Sequence, residues 1–182
     1  MSRILAALAA VLLVLLTPAA AQAASTSRKD GDDTITTLDL KKVTLKTTGK
    51  KMTVTFSTYD AFADVDLFGL TGLGVEFEVA KGKVRGIAVK SHETGGLLAD
   101  ICTYRTTGNP LGTHCSPVKV TRLSDTSLLV TVARAKIDRG ARSYRWRAGS
   151  FNQSTSSADC AGFNPQCYDT VPDSNEFLTW KP

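Results

Sequence analysis

Residues 43–56 read Val43-Thr44-Leu45-Lys46-Thr47-Thr48-Gly49-Lys50-Lys51-Met52-Thr53-Val54-Thr55-Phe56. Apolar side chains alternate strictly with threonine and lysine on both sides of a Thr-Gly-Lys turn. A period of two is that of a strand with one face in a core and the other in water. Two such runs joined by a glycine turn predict an antiparallel hairpin.

The same alternation recurs along the chain. Val75, Phe77 and Val79 form one run, followed by Ile87 and Val89, Val118 and Val120, Leu128, Val130 and Val132, and then Tyr144, Trp146 and Ala148. Thr121, Glu76, Glu78, Lys119, Arg145 and Arg147 take the opposite parity. Lys81-Gly82-Lys83 and Ser124-Asp125-Thr126 separate further pairs of runs as hairpin turns. No long helical pattern intervenes, so the expected fold is all-β: an antiparallel β-sandwich, jelly-roll-like. Two longer gaps, residues 59–74 and 149–175, are expected to hold short helices or the crossovers such a fold needs.

The chain has 182 residues, 42% apolar and 21% charged, with a formal net charge of +5. These values exclude collagen-like, coiled-coil and disordered chains, and the length suits one domain. The apolar fraction is inflated by residues 1–24. Arg3 precedes an uninterrupted apolar run from Ile4 to Leu16, Thr17-Pro18 breaks it, and an alanine-rich stretch follows. That is the pattern of a secretion signal peptide, with cleavage expected after Ala23. The run is too short for the ~20 residues that span a bilayer, so an extracellular protein with no membrane anchor is expected after cleavage. Residues 25–34 (STSRKDGDDT) are polar and aperiodic and predict a flexible lead-in; residues 35–182 form the single domain.

Export gives the cysteines a reason to pair. Cys102, Cys115, Cys160 and Cys167 are even in number, and the sequential pairing, Cys102 with Cys115 and Cys160 with Cys167, brackets two turn-rich segments. Loops this short gain roughly 2.5–3 kcal/mol each in the chain-entropy model. Neither pair has the spacing of a zinc site, and the only histidines are His92 and His114.

Several stretches carry a resemblance. Asp30-Gly31-Asp32-Asp33, Leu38-Asp39-Leu40-Lys41-Lys42-Val43, the strand ending Thr58-Tyr59-Asp60, and Tyr144-Arg145-Trp146-Arg147-Ala148 followed by residues 169–173 (DTVPD) resemble uncharacterised secreted β-sandwich proteins of actinobacteria. More distantly, the opening resembles carbohydrate-binding jelly-roll modules of extracellular glycosidases. The resemblance implies export and a sandwich fold; it does not assign a function, because one fold hosts many.

Candidate chemistry is sparse. Glu76 and Glu78 share one face of a strand, but a catalytic carboxylate pair needs an environment that splits its two pKa values, and a solvent-facing acidic pair is the simpler expectation. No G-x-S-x-G elbow accompanies His92 or His114. No catalytic residue is therefore assigned. Asp30, Asp32 and Asp33 near one end and Asp169 and Asp173 near the other would suit a structural Ca²⁺ if the terminal strands lie together, although their spacing is not that of an EF-hand. Otherwise they are solvated loop carboxylates, and no other cofactor is expected. Phe151, Phe163 and Tyr168 are the best candidates for stacking on a sugar ring, whereas Trp146 and Trp180 read as core residues. Lys81, Lys83, Arg85 and Lys90, with Arg142, Arg145 and Arg147, suggest a positive face for an anionic cell-wall polymer. No specific nucleic-acid signature accompanies them. The expected function is a non-enzymatic extracellular binding or surface-associated module for a carbohydrate or cell-wall ligand. Its rival is a small secreted hydrolase or protease-binding protein that uses the disulfide-held loops.

Overall fold

The alternating runs fold as antiparallel strands in two sheets. The computed structural model describes residues 23–80, 83–105, 114–152 and 167–182. The first sheet has the order β1-β2-β3-β9-β8, with β1 Ala24–Lys29, β2 Leu40–Thr48, β3 Lys51–Thr58, β8 Lys119–Ser124 and β9 Ser127–Ala133. The second has the order β11-β10-β4-β5-β6-β7, with β4 Thr71–Ala80, β5 Lys83–Ser91, β6 Leu97–Arg105, β7 His114–Pro117, β10 Tyr144–Asn152 and β11 Tyr168–Val171. The short β12, Leu178–Trp180, pairs with β10 through its Tyr144–Trp146 end.

One core joins the sheets. Val43, Leu45, Met52, Val54, Phe56, Leu128, Val130 and Val132 meet Val75, Phe77, Ile87, Val89 and Trp146 from the other side, all buried. These are the apolar positions of the period-two runs. Trp180 closes the end of the core against Tyr144, ring centroids 5.8 Å apart.

The chain changes sheet three times. Between β3 and β4 a 3₁₀ turn, Asp64–Leu67, buries Leu67 as a plug. Between β7 and β8 only Val118 intervenes, its amide bonded to the Ala99 carbonyl at 2.9 Å. Between β9 and β10 the single turn α1, Arg134–Ile137, inserts the buried Ile137.

Three expectations need correction or completion. The strand order does not confirm a jelly roll: β1 to β3 and β4 to β7 are meanders that stay within one sheet, while β9 returns beside β3 and β10 beside β4. Alternation reports which face of a strand is buried but not which neighbour the strand takes. Residues 25–34 are not simply a flexible lead-in, because residues 24–29 are β1, paired with β2 from Ala24 opposite Thr47 to Lys29 opposite Lys42. An edge strand held by ladder hydrogen bonds, with mostly exposed side chains, leaves no hydrophobic period to read. Of the two expected disulfides, Cys102–Cys115 is present and staples directly facing residues of β6 and β7. Cys160, and with it the Cys160–Cys167 pairing, lies outside the described residues; Cys167 is buried.

Candidate functional site

The outer face of the second sheet carries a trough. Strand register explains its floor: Gly149 of β10 faces Gly74 of β4, and Gly74 faces Ala88 of β5. Three adjacent strands thus contribute two hydrogens and a methyl in one row, where strands normally present larger outward side chains. Glycine weakens a strand and is used where something must approach the backbone closely. The walls rise on either side. Phe151 and Tyr168 are direct cross-strand partners on one flank, and Tyr104, Glu76 and Arg147 stand on the other. The cavity measures about 470 Å³, within the usual range of small-ligand pockets, about 300–1,000 Å³.

Side chains on the polar flank are fixed to one another. Arg147 faces Glu76 across β10 and β4, its Nε and Nη2 donating to Oε2 at 2.7 and 2.6 Å. The same guanidinium donates to the backbone oxygen and Oδ1 of Asn175, at 3.0 and 2.9 Å, and lies over the Phe177 ring. The Tyr104 hydroxyl donates to Glu76 Oε1. Burial, then that carboxylate, pushes the Tyr104 phenol well above its ordinary pKa. The Tyr104 ring packs over Gly86, where a Cβ would come within 2.9 Å of it. A ligand in the trough therefore meets apolar ring surface at one side and a preset row of phenol, carboxylate and guanidinium at the other.

A second cluster lies where the segment after β1 meets β11. Asp169 sits on the inward parity of β11 and is buried, and its Oδ2 accepts the Leu40 amide at 2.6 Å. Asp39 is only 1% exposed, between the fully buried Leu38 and Leu40. Its Oδ2 accepts the amides of Asp33 and Thr34 at 3.1 and 3.2 Å, while its Oδ1 is buried with no hydrogen-bond partner. One oxygen each from Asp33, Asp39 and Asp169 lie within 4.8 Å of one another. Asp30 adds a fourth carboxyl, hydrogen-bonded to those of Asp173 and Asp169, and its Oδ2 is also unpartnered.

Crowding shifts these acids. Burial, then the neighbouring Asp173 and Asp169 carboxyls, pushes Asp30 up to about 9. Burial raises Asp39 to about 6, against the amides of Thr34 and Asp33, which favour its ionised form. Asp169 is also raised, chiefly by burial. Asp173, at the exposed end, is lowered by its hydrogen bond to Asp30 and helped by Arg28.

The structure thus gathers Asp30, Asp33, Asp169 and Asp173 from opposite ends of the sequence, while exposed Asp32 reaches Asp39 from outside. Asp39 belongs at the centre and was not among the expected residues. An aspartate flanked by two core leucines is its one trace in the sequence. Phe151 and Tyr168 come together; Phe163 lies outside the described residues. The trough's glycines and Tyr104 were not expected either, although glycine inside a strand is a readable sign; Arg147 was expected only as part of a positive face. His92 lies in the β5–β6 turn and His114 begins β7, away from both groups of carboxylates by sheet position. Glu76 and Glu78 are each held by an arginine of β10, Arg147 and Arg145, so the expected positive face is partly neutralised. Arg85 is likewise engaged, by the carbonyls of Lys136 and Ile137.

Comparison with protein-family models, with curated proteins and with solved structures gives no match to this chain. Among the described residues no helix is long and apolar enough to cross a membrane.

Proposed function

We propose that the protein is an exported, non-enzymatic binding module that receives a carbohydrate or cell-wall glycan in the trough of the second sheet. The observation that carries this reading is the row Gly149, Gly74 and Ala88 between the aromatic pair Phe151–Tyr168 and the Tyr104–Glu76–Arg147 flank. Sugar rings present apolar C–H faces to aromatic rings and hydroxyls to charged and phenolic groups, and this trough offers both. A ready-fixed wall also loses little side-chain freedom on binding. The binding reading is favoured over a hydrolase because both outward glutamates are committed to arginines. In this reading cleavage after Ala23 removes the signal on export and leaves β1, Ala24–Lys29, intact, and Cys160 pairs with Cys167.

The test is a screen of the purified protein against glycans and cell-wall polymers at two salt concentrations, with Gly74→Leu as comparator. A retained ligand that Gly74→Leu no longer holds is expected. Retention of no polymer, or equal retention by the filled trough, would sink the reading.

A further inference from the structure

We propose that Asp33, Asp39 and Asp169, with Asp30 beside them, bind a calcium ion that fastens the segment after β1 to β11. The site shares no side chain with the trough's polar flank, and the two meet only at Asp169, which also borders the trough.

Three observations combine. The first is spacing: calcium binds oxygens at 2.3–2.6 Å, so two ligands on opposite sides of one ion stand about 5 Å apart. Oxygens that all lie within 4.8 Å of one another fit around a single ion without moving the backbone. The second is the state of Asp39. Its Oδ2 is satisfied by two amides, yet its Oδ1, on a side chain 99% hidden by the residue's 1% exposure, has no donor. Buried polar atoms are nearly always partnered, and an orphan calls for a water or an ion. Asp30 Oδ2 and the Thr34 and Thr36 hydroxyls are further buried oxygens without partners in the same segment.

The third is charge. The ion pairs among the described residues join Arg122 to Asp64, Arg145 to Glu78 and Arg147 to Glu76, and none reaches Asp30, Asp33, Asp39 or Asp169. Gathering four carboxyl groups, two of them buried, with no cation among them is costly. A shared proton relieves one contact between carboxyls, but it does not serve all of these oxygens at once. A doubly charged ion with six to eight oxygen ligands does so, and carboxylates with hydroxyl or carbonyl oxygens are the donor set calcium prefers. The ion would join residues that precede β2 to a strand at the far end of the chain, so its effect is on the closure of the sandwich.

Melting curves of the whole protein in calcium and in chelator test this, together with titration of terbium, which replaces calcium in oxygen sites and emits when excited through a nearby tyrosine. Tyr59 is placed for that role, since its hydroxyl donates to the Asp30 carbonyl at 2.7 Å. Calcium at 100 times its Kd should raise the melting temperature by at least about 5 °C. Terbium emission should appear on titration, be displaced by calcium and fall in Tyr59→Phe, which should keep the calcium-dependent shift. Asp39→Asn should lose most of that shift and most of the emission. Identical melting of the wild-type protein in millimolar calcium and in chelator, without calcium-displaceable terbium emission, would overturn the proposal. An undiminished calcium shift in Asp39→Asn would do the same. The wild-type titration decides the matter even if that variant fails to fold.

Discussion

The Leu40 amide at the start of β2 and the Asp169 carboxylate of β11 form a 2.6 Å hydrogen bond across 129 residues of chain. The bond joins an outer strand of one sheet to the first sheet's second strand, and it is buried. Charge-assisted bonds of this kind contribute about 1.5–3 kcal/mol. Asp169→Ala should therefore lower stability by about that amount in chelator. Asp169→Asn keeps an acceptor oxygen and removes one crowded charge, so in chelator it should melt close to the wild-type protein or above it. Urea unfolding of both variants checks the pair; equal losses would show that charge, rather than the Leu40 bond, is what Asp169 supplies.

Without a metal ion, the acidic cluster should make the protein less stable as pH rises. Asp39 is raised to about 6 and Asp30 to about 9 from the ordinary 3.8. A group whose pKa is higher in the folded state binds more protons folded than unfolded, so its contribution is complete below about 4 and is lost as pH passes through the folded value. In chelator, melting temperature should fall between pH 4 and 6 from Asp39, and further towards pH 9 from Asp30. Asp30→Asn should flatten the upper part of that fall. A chelated protein whose melting temperature climbs steadily from pH 5 to 9, unchanged by Asp30→Asn, would contradict the assignment.

Strand faces were legible because solvent imposes a period of two on half-buried strands: Val43, Leu45, Met52, Val54 and Phe56 are all fully buried, as their alternation with threonine requires. The hairpin at Gly49, which has φ 58°, was legible for a similar local reason. What lay hidden depends on contacts distant in sequence. β1 has no apolar face to declare it, and the return of β10 to β4 is a choice of neighbour. Asp39 looks like an interruption of a hydrophobic run until Asp33 and Asp169 are placed beside it. Phe151 and Tyr168 could be picked out as aromatics near the expected Cys160–Cys167 pairing, but the trough they border exists only because glycines from separate strands share a row.

Those glycines differ in what they tolerate. A Cβ at Gly149 would stand 2.6 Å from the Asp169 carbonyl oxygen, so Gly149→Ala must push β11 away from β10. At Gly74 the nearest atom is the Ile87 carbonyl oxygen at 3.4 Å, an ordinary contact. Gly149→Ala should cost about 1–3 kcal/mol and Gly74→Ala less than about 1. Chemical denaturation of both variants distinguishes them; equal stabilities would mean that β11 yields without penalty.

Arg145 and Arg147 offer the cleanest separation of binding from stability. Both sit on the outward parity of β10, each faces a glutamate of β4, and each lies over the Phe177 ring. Only Arg147 borders the trough. Ion pairs this close to solvent contribute about 0–1 kcal/mol, so Arg145→Ala and Arg147→Ala should each lower stability by no more than about that. Glycan affinity should separate them. Arg147→Ala removes a trough wall and frees Glu76, and it should weaken binding roughly tenfold, a change of about 1.4 kcal/mol. Arg145→Ala should leave affinity within about twofold, because its guanidinium belongs to the next pair along the strand. Calorimetric titration of the two variants with the ligand retained in the screen provides the comparison. Equal weakening by both would move the contact surface off the trough and onto the wider charged face.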